Sequence, residues 1–186
     1  MTVYDEVAFA LRCGKKSQVN KSKINKKVEE SIAAAGLSDK VNVFPAALCR
    51  ADRVKVVFAS VLAMNAKIIM LDEPVAGQDY QGCRLIMDLA AGLHWQGYTI
   101  IMVSHNVNII AEYARRLIVI KNGTVFMDGK PEEIFRRPDE LAQAGILPPN
   151  ITRFSRSLRN HLPLERDAMT PPELAAMLVE LKQKLV

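Results

Sequence analysis

The sequence predicts an α/β fold built on a parallel sheet, and three observations point to it. KIIMLDEP at 67–74 and TIIMVSH at 99–105 are near-continuous apolar runs of strand length, the pattern of strands buried on both faces. YQGCRLIMDLAAGLHWQG at 80–97 lies between them and has helix length and helical apolar spacing. Strand, helix and strand in this order form a parallel crossover unit, and Gly97 stands where the helix would end.

The other elements follow in chain order. VYDEVAFALR at 3–12 spaces Val3, Val7, Ala8 and Leu11 along one helical face, with Thr2 as N-cap and acids in the first turn. Six lysines fall between Lys15 and Lys27, which suits a solvated face or loop more than a specific anion site. KKVEESIAAAG then predicts a helix closed by Gly36. ADRVKVVFASVLAM at 51–64 is apolar nearly all round, as a buried helix would be.

NVNIIAEYA at 106–114 predicts another helix, and RLIVIKNGTVFMDG at 116–129 a hairpin turning at Asn122-Gly123. PEEIFRRPDE opens a helical tail punctuated by prolines and ending in PELAAMLVELKQKLV. The expected organisation is a helical portion over 1–50, an α/β core over 51–130 and a helical extension over 131–186.

Composition narrows the class. With 186 residues, 49% hydrophobic and 24% charged, the chain has material for one ordinary core. A net charge of +5 suits phosphate-bearing ligands, nucleic acid or an anionic membrane surface equally. Cys13, Cys49 and Cys83 are odd in number and widely spaced, which argues against a disulfide framework or a zinc site and for the cytosol. No apolar run reaches the length that spans a bilayer, and the N-terminus puts acids before its apolar residues, unlike a signal peptide.

The candidate chemistry sits at the strand ends, where open α/β sheets bind their ligands. Asp72 and Glu73 end the first strand, and Ser104-His105 end the second. Successive strand residues point different ways, so one carboxylate can hold a hard cation such as Mg²⁺ while the next polarises a water. A histidine beside them can bond a phosphate oxygen or orient the base. Singly, an acid pair at a strand end is as often a helix cap, and a lone histidine is more often structural. Their order, with the loop AGQD at 76–79, favours a site.

These residues resemble a known family. MLDEP, then AGQD, then IIMVSHN resemble the Walker B motif, D-loop and switch histidine of ABC transporter ATPases. TVYDEVAFAL, RVKVVFASVLAMNAKIIMLDEP and GILPPNITRFSRSLRN are similar to the energy-coupling-factor and cobalt-type branch, so the resemblance covers almost the whole chain. It implies a partial P-loop NTPase (RecA-like) parallel sheet with a helical subdomain and a small C-terminal helical extension. It also implies ATP and Mg²⁺ as cofactors, Asp72 as the magnesium ligand, Glu73 as general base for the attacking water and His105 as sensor of the γ-phosphate. Gln78 and Asp79 would belong to the nucleotide-binding set, with Asp79 facing an opposing subunit. The implied partners are a transmembrane coupling subunit and a second ATP-binding subunit, and the implied location is the inner face of the cell membrane.

Two parts of the family pattern are not in the sequence. No GxxxxGK[ST] phosphate loop occurs, and CGKKS at 13–17 fails as one because Phe9 and Lys16 stand where glycine and a hydroxyl are needed. In place of the signature LSGGQ the chain has Ala46-Ala47-Leu48-Cys49-Arg50. The expected function is therefore a truncated ATP-binding subunit of an energy-coupling-factor-type importer of vitamins or metal ions, with little or no hydrolysis alone. The alternative is a non-catalytic module that docks on a membrane subunit or a partner ATPase. A nucleic-acid role lacks interleaved aromatics and any binding motif.

Overall fold

A computed structural model describes residues 1–12 and 21–184. Cys13 and the whole string CGKKS at 13–17, with Lys15 and Lys16, lie outside the described residues. The chain forms two compact units, Met1–Val103 and Ser104–Val186.

In the first unit, α1 (Val3–Arg12), α2 (Lys21–Ala34) and α3 (Arg50–Ala63) pack on one another. The start of α1 is set locally. The Thr2 backbone N–H donates to Asp5 Oδ2 at 2.9 Å, and the Asp5 N–H donates back to Thr2 Oγ1 at 3.2 Å, a reciprocal cap. The Thr2 N–H and hydroxyl, both donating to Asp5 Oδ2, hold the Asp5 carboxyl below its ordinary pKa. The next two orphan amides, of Val3 and Tyr4, donate to the carbonyls of Val43 and Val41. Gly36, at φ +68°, ends α2 in a Schellman turn, with Leu37 N–H bonded to Ile32 O and Gly36 N–H to Ala33 O.

Val3, Val7, Val28, Ile32, Leu37, Val56 and Ala59 form the buried cluster between these helices. Each buried Val or Ile contributes about 1.5–3 kcal/mol. The expected boundary at 50/51 falls between the first two residues of α3, whose Val56, Ala59 and Ala63 share the cluster of α1 and α2. Nor is α3 buried all round: Val57 is 60% exposed.

β1 (Ile68–Asp72), α4 (Tyr80–Trp95) and β2 (Thr99–Val103) form the predicted crossover. The strands pair in parallel, with Ile68 opposite Thr99 and Asp72 opposite Val103. α4 buries Ile86, Met87, Ala90 and Leu93 and packs against α3 and β2. Its end repeats the device used in α2: Gly97, at φ +92°, lets Tyr98 N–H reach Leu93 O. One expectation is corrected here. The strands are not covered on both faces, since Met70 is 73% exposed and Val103 56%, while Ile69 between the exposed positions is buried. A two-stranded sheet has one helix-covered face, and the described residues of this unit supply nothing to cover Ile68, Met70, Ile101 and Val103.

The second unit begins with α5 (Val107–Tyr113) and continues into β3 (Leu117–Lys121) and β4 (Thr124–Gly129), which pair antiparallel. Asn122 at φ +51° and Gly123 at φ +76° make the turn, as Asn-Gly predicts. α6 (Pro131–Phe135) and α7 (Pro138–Gln143) follow. Val119, Met127, Ile134, Phe135, Leu141 and Met169 form one cluster. α8 (Asn150–Leu158) and α9 (Pro171–Lys184) close a second around Leu164, Ala168 and Leu174. The single core expected from length is thus replaced by separate clusters, because neighbouring segments bury their apolar faces on one another. Among the described residues no helix is long and apolar enough to cross a membrane.

Candidate functional site

The end of β1 and the loop from it to α4 carry four of the five predicted site residues: Asp72 on the strand, and Glu73, Gln78 and Asp79 in the loop. Its conformation follows from a chain of short-range bonds. The Glu73 N–H donates to Val103 O at 2.9 Å, one step past the last strand pair, so the loop starts from a registered sheet end. Ala76 N–H then returns to Glu73 O and Gln78 N–H to Val75 O, two successive tight turns. Val75 is buried and anchors the middle of the loop.

Asp72 is exposed at the last position of β1. Glu73 is half-buried and adopts φ +44°. The other described non-glycine residues at positive φ are Asn65 and Asn122, of a type that tolerates it. For a glutamate this conformation costs about 1 kcal/mol or more. The residue before a proline ordinarily takes an extended conformation, and Glu73, preceding Pro74, does not. Backbone strain of this kind persists where surrounding structure over-determines it, and it clusters at functional sites.

Asp79 is the N-cap of α4, and its Oδ1 accepts from the Gly82 N–H at 2.7 Å. This supplies the helix-cap role that an acid in this position can have without chemistry. Gly82 lies close under the loop side chains: a Cβ there would stand 2.9 Å from Gln78 Oε1, which would have to swing aside, and 3.1 Å from Asp79 Oδ1. Cys83, in the first turn of α4, has its Sγ 3.8 Å from Val75 O and 3.9 Å from Gln78 O. Burial pushes its thiol pKa up, with the nearby Asp79 carboxylate adding to the effect.

His105 belongs to the second unit. It is exposed and lies in a capped turn: the Asn106 N–H donates to Ser104 Oγ at 3.1 Å, and Asn106 Oδ1 accepts from Ile109 N–H to start α5. Val103, opposite Asp72 in the sheet, precedes His105 by two residues.

Asp72 supplies one hard oxygen donor, which suits Mg²⁺ only as a bridge to phosphates that complete its shell. Among the described residues no group of three or more acids, histidines or cysteines could hold a metal by itself. A glycine-rich loop with its lysine, which would cradle a nucleotide's phosphates, is not among these 186 residues, so the acids at the end of β1 could contribute only the metal-facing and water-facing side of such a site.

One site feature was not visible in the sequence. Arg50, the first residue of α3, donates from Nη2 to the Ala76 carbonyl at 2.8 Å, and its guanidinium lies over Gly77. The hint was an arginine at a helix N-terminus, where a cation is disfavoured.

No protein-family model matches the chain. It is 34% identical over 177 residues to the energy-coupling factor transporter ATP-binding protein EcfA2 of Symbiobacterium thermophilum, covering 95% of this chain and 59% of that one. The EcfA2 protein of Acetivibrio thermocellus is 33% identical over 169 residues, with 89% and 59% covered. Of a longer relative from Methanosarcina acetivorans, 37% identical over 158 residues, the chain spans 25%. The chain therefore spans between a quarter and three fifths of these relatives. Among solved structures, cbiO1 from Clostridium perfringens, part of the ABC transporter complex cbiONQ, superposes with a TM-score of 0.67 at 28% identity, covering 87% of this chain and 58% of that one. An ATP-binding cassette of an ABC transporter, 22% identical, shares the fold at a TM-score of 0.67, with 78% and 63% covered.

Proposed function

Because the chain belongs to the ABC transporter ATP-binding proteins, in their energy-coupling-factor and cobalt-type branch, we propose that it supplies the water-activating side of an ATP site in an importer of that type. The observation that carries this reading is Glu73, a carboxylate held at φ +44° directly after the exposed Asp72 at the end of a parallel strand. A glutamate kept in a costly conformation at a sheet's carboxyl end fits a general base better than a helix cap, and the capping role here belongs to Asp79.

In this reading Asp72 is the carboxylate that would contact Mg²⁺ bound to a nucleotide's phosphates, which is where such an ion screens their charge. Glu73 accepts the proton of a water and so raises its nucleophilicity. Gln78 and Asp79 would border the nucleotide from a loop tied to α4, and His105 would contact its terminal phosphate. The natural setting is a pair of ATP-binding subunits on the cytoplasmic side of a transmembrane coupling subunit, serving uptake of a vitamin or metal ion.

The polypeptide by itself is proposed to turn over ATP poorly or not at all. A general base contributes a factor of about 10²–10⁴, but only to a substrate already held. The test is an ATPase assay on the pure protein beside Glu73→Gln. Equal rates at background support weak turnover by the chain alone, whereas turnover abolished by Glu73→Gln overturns weak turnover and supports Glu73 as the base.

A second reading, a non-catalytic module that docks on a membrane subunit or a partner ATPase, is favoured by one observation: Ala46-Ala47-Leu48-Cys49-Arg50 stands where the phosphate-contacting signature would be. Co-purification with a transmembrane partner that is indifferent to ATP and to Glu73→Gln would select it. Capture that depends on ATP would select the first reading.

A further inference from the structure

We propose that Arg50 is a positioning residue that latches the first turn of α3 to the loop carrying Gln78 and Asp79, so that residues 46–50 and 76–79 move as one body. The inference deepens the functional reading above, since it assigns a controller to the same loop.

The local sequence gives Arg50 no reason to be where it is. It occupies the first helical position, where the positive end of the helix dipole disfavours a cation, and the side chain of the preceding N-cap, Cys49, does not cap the helix's first backbone amides. Asp52 in the first turn offsets part of this, but its carboxylate is engaged by Lys40 and Lys55. The compensation for Arg50 is therefore tertiary. Its Nη2 reaches across 26 residues to the Ala76 carbonyl at 2.8 Å.

Gly77 makes the approach possible. A Cβ at Gly77 would stand 2.6 Å from Arg50 Nη1 and 2.9 Å from Cζ, and Gly77 has φ +66°, so both its missing side chain and its backbone freedom are in use. The guanidinium occupies the space that a side chain at Gly77 would need while bonding the carbonyl before it. Arg53 secures the other side, donating from Nε to Leu48 O at 3.0 Å. The stretch that stands in place of a glycine-rich signature is thus bound to its own chain's loop through a guanidinium.

Amide hydrogen exchange on the full chain tests the latch without any nucleotide, so its outcome is independent of whether the chain binds ATP. The amides of Ala76 and Gln78 report on the loop, since they close its two turns onto Glu73 O and Val75 O. Ile86 and Ala90, buried on α4, serve as controls for general loosening. Arg50 is exposed, so its replacement leaves the core intact. Arg50→Ala is expected to speed exchange at Ala76 and Gln78 about tenfold, the effect of losing one net hydrogen bond with its packing, while Ile86 and Ala90 keep their protection. Gly77→Ala should speed the same amides in the parent chain and add less in the Arg50→Ala background. Arg50→Lys, which keeps a donor for Ala76 O, should exchange more slowly than Arg50→Ala. Unchanged exchange at Ala76 and Gln78, an equal rise at the controls, or identical behaviour of the alanine and lysine variants overturns the proposal.

Discussion

Asp52 is the buried acid whose contribution can be worked out most directly. It is 6% exposed on α3, with Lys40 Nζ 2.5 Å from one carboxylate oxygen and Lys55 Nζ 2.8 Å from the other. The hydrogen bonds from Lys40 and then Lys55 bring its pKa from 3.8 to about 2 against the opposing effect of burial. A carboxyl shifted by that much on folding contributes about 2 kcal/mol at neutral pH. The sign follows from the direction of the shift. The unfolded chain holds the proton more tightly, so the stabilisation is complete above the unfolded pKa of 3.8 and is lost as pH falls towards 2, with about half remaining at pH 3. Asp52→Asn should therefore lower unfolding free energy by about 2 kcal/mol at pH 7, measured by urea denaturation, and the gap to the parent chain should narrow to about 1 kcal/mol at pH 3. A gap that is negligible at pH 7, or that keeps its full size at pH 3, would refute the assignment of this stability to the ionised carboxylate.

Three further predictions concern other parts of the molecule. With its side-chain contacts removed in both variants, Glu73→Gly should be more stable than Glu73→Ala by about 1 kcal/mol in denaturant titrations, because only the alanine retains the left-handed strain; equal stabilities would contradict the strain at φ +44°. Asp167 is 5% exposed and accepts from Arg156 Nη2 at 2.7 Å and Arg159 Nη1 at 3.3 Å, so Asp167→Asn should cost about 2 kcal/mol of thermal or chemical stability, less than a fully buried pair because both arginines reach solvent. Met70→Lys, on the open face of the β1–β2 sheet, should raise the concentration at which the protein begins to aggregate, read by light scattering, with under about 0.5 kcal/mol of lost stability.

The elements that local chemistry governs were legible in the sequence. Thr2 and Asp5 cap α1, Gly36 and Gly97 end α2 and α4, and Asn122-Gly123 turns the hairpin, because in each case the deciding bonds run between residues only a few positions apart. The parallel pairing of β1 with β2 was readable for a related reason: an intervening helix of this length leaves few other connections. The loop with Asp72, Glu73, Gln78 and Asp79 could be singled out as well, since acids after an apolar strand run stand out in one dimension.

What the tertiary structure decided depends on atoms distant in sequence. An apolar run marks a strand but does not say how many of its faces are covered, and only the packing showed Ile69 buried while Met70 lies open. The same limit applies to the backbone of Glu73, whose left-handed turn is imposed by the sheet end and the loop together. It applies again to Arg50 and Gly77, which are 27 positions apart in the chain and meet because α3 and the loop after β1 come together. By itself the sequence determined the order of elements and their caps, which are set by short-range bonding. The exposure of the sheet, the strain in the glutamate and the latch over Gly77 were left to the fold, because each arises from the balance of contacts between segments that only folding brings into reach.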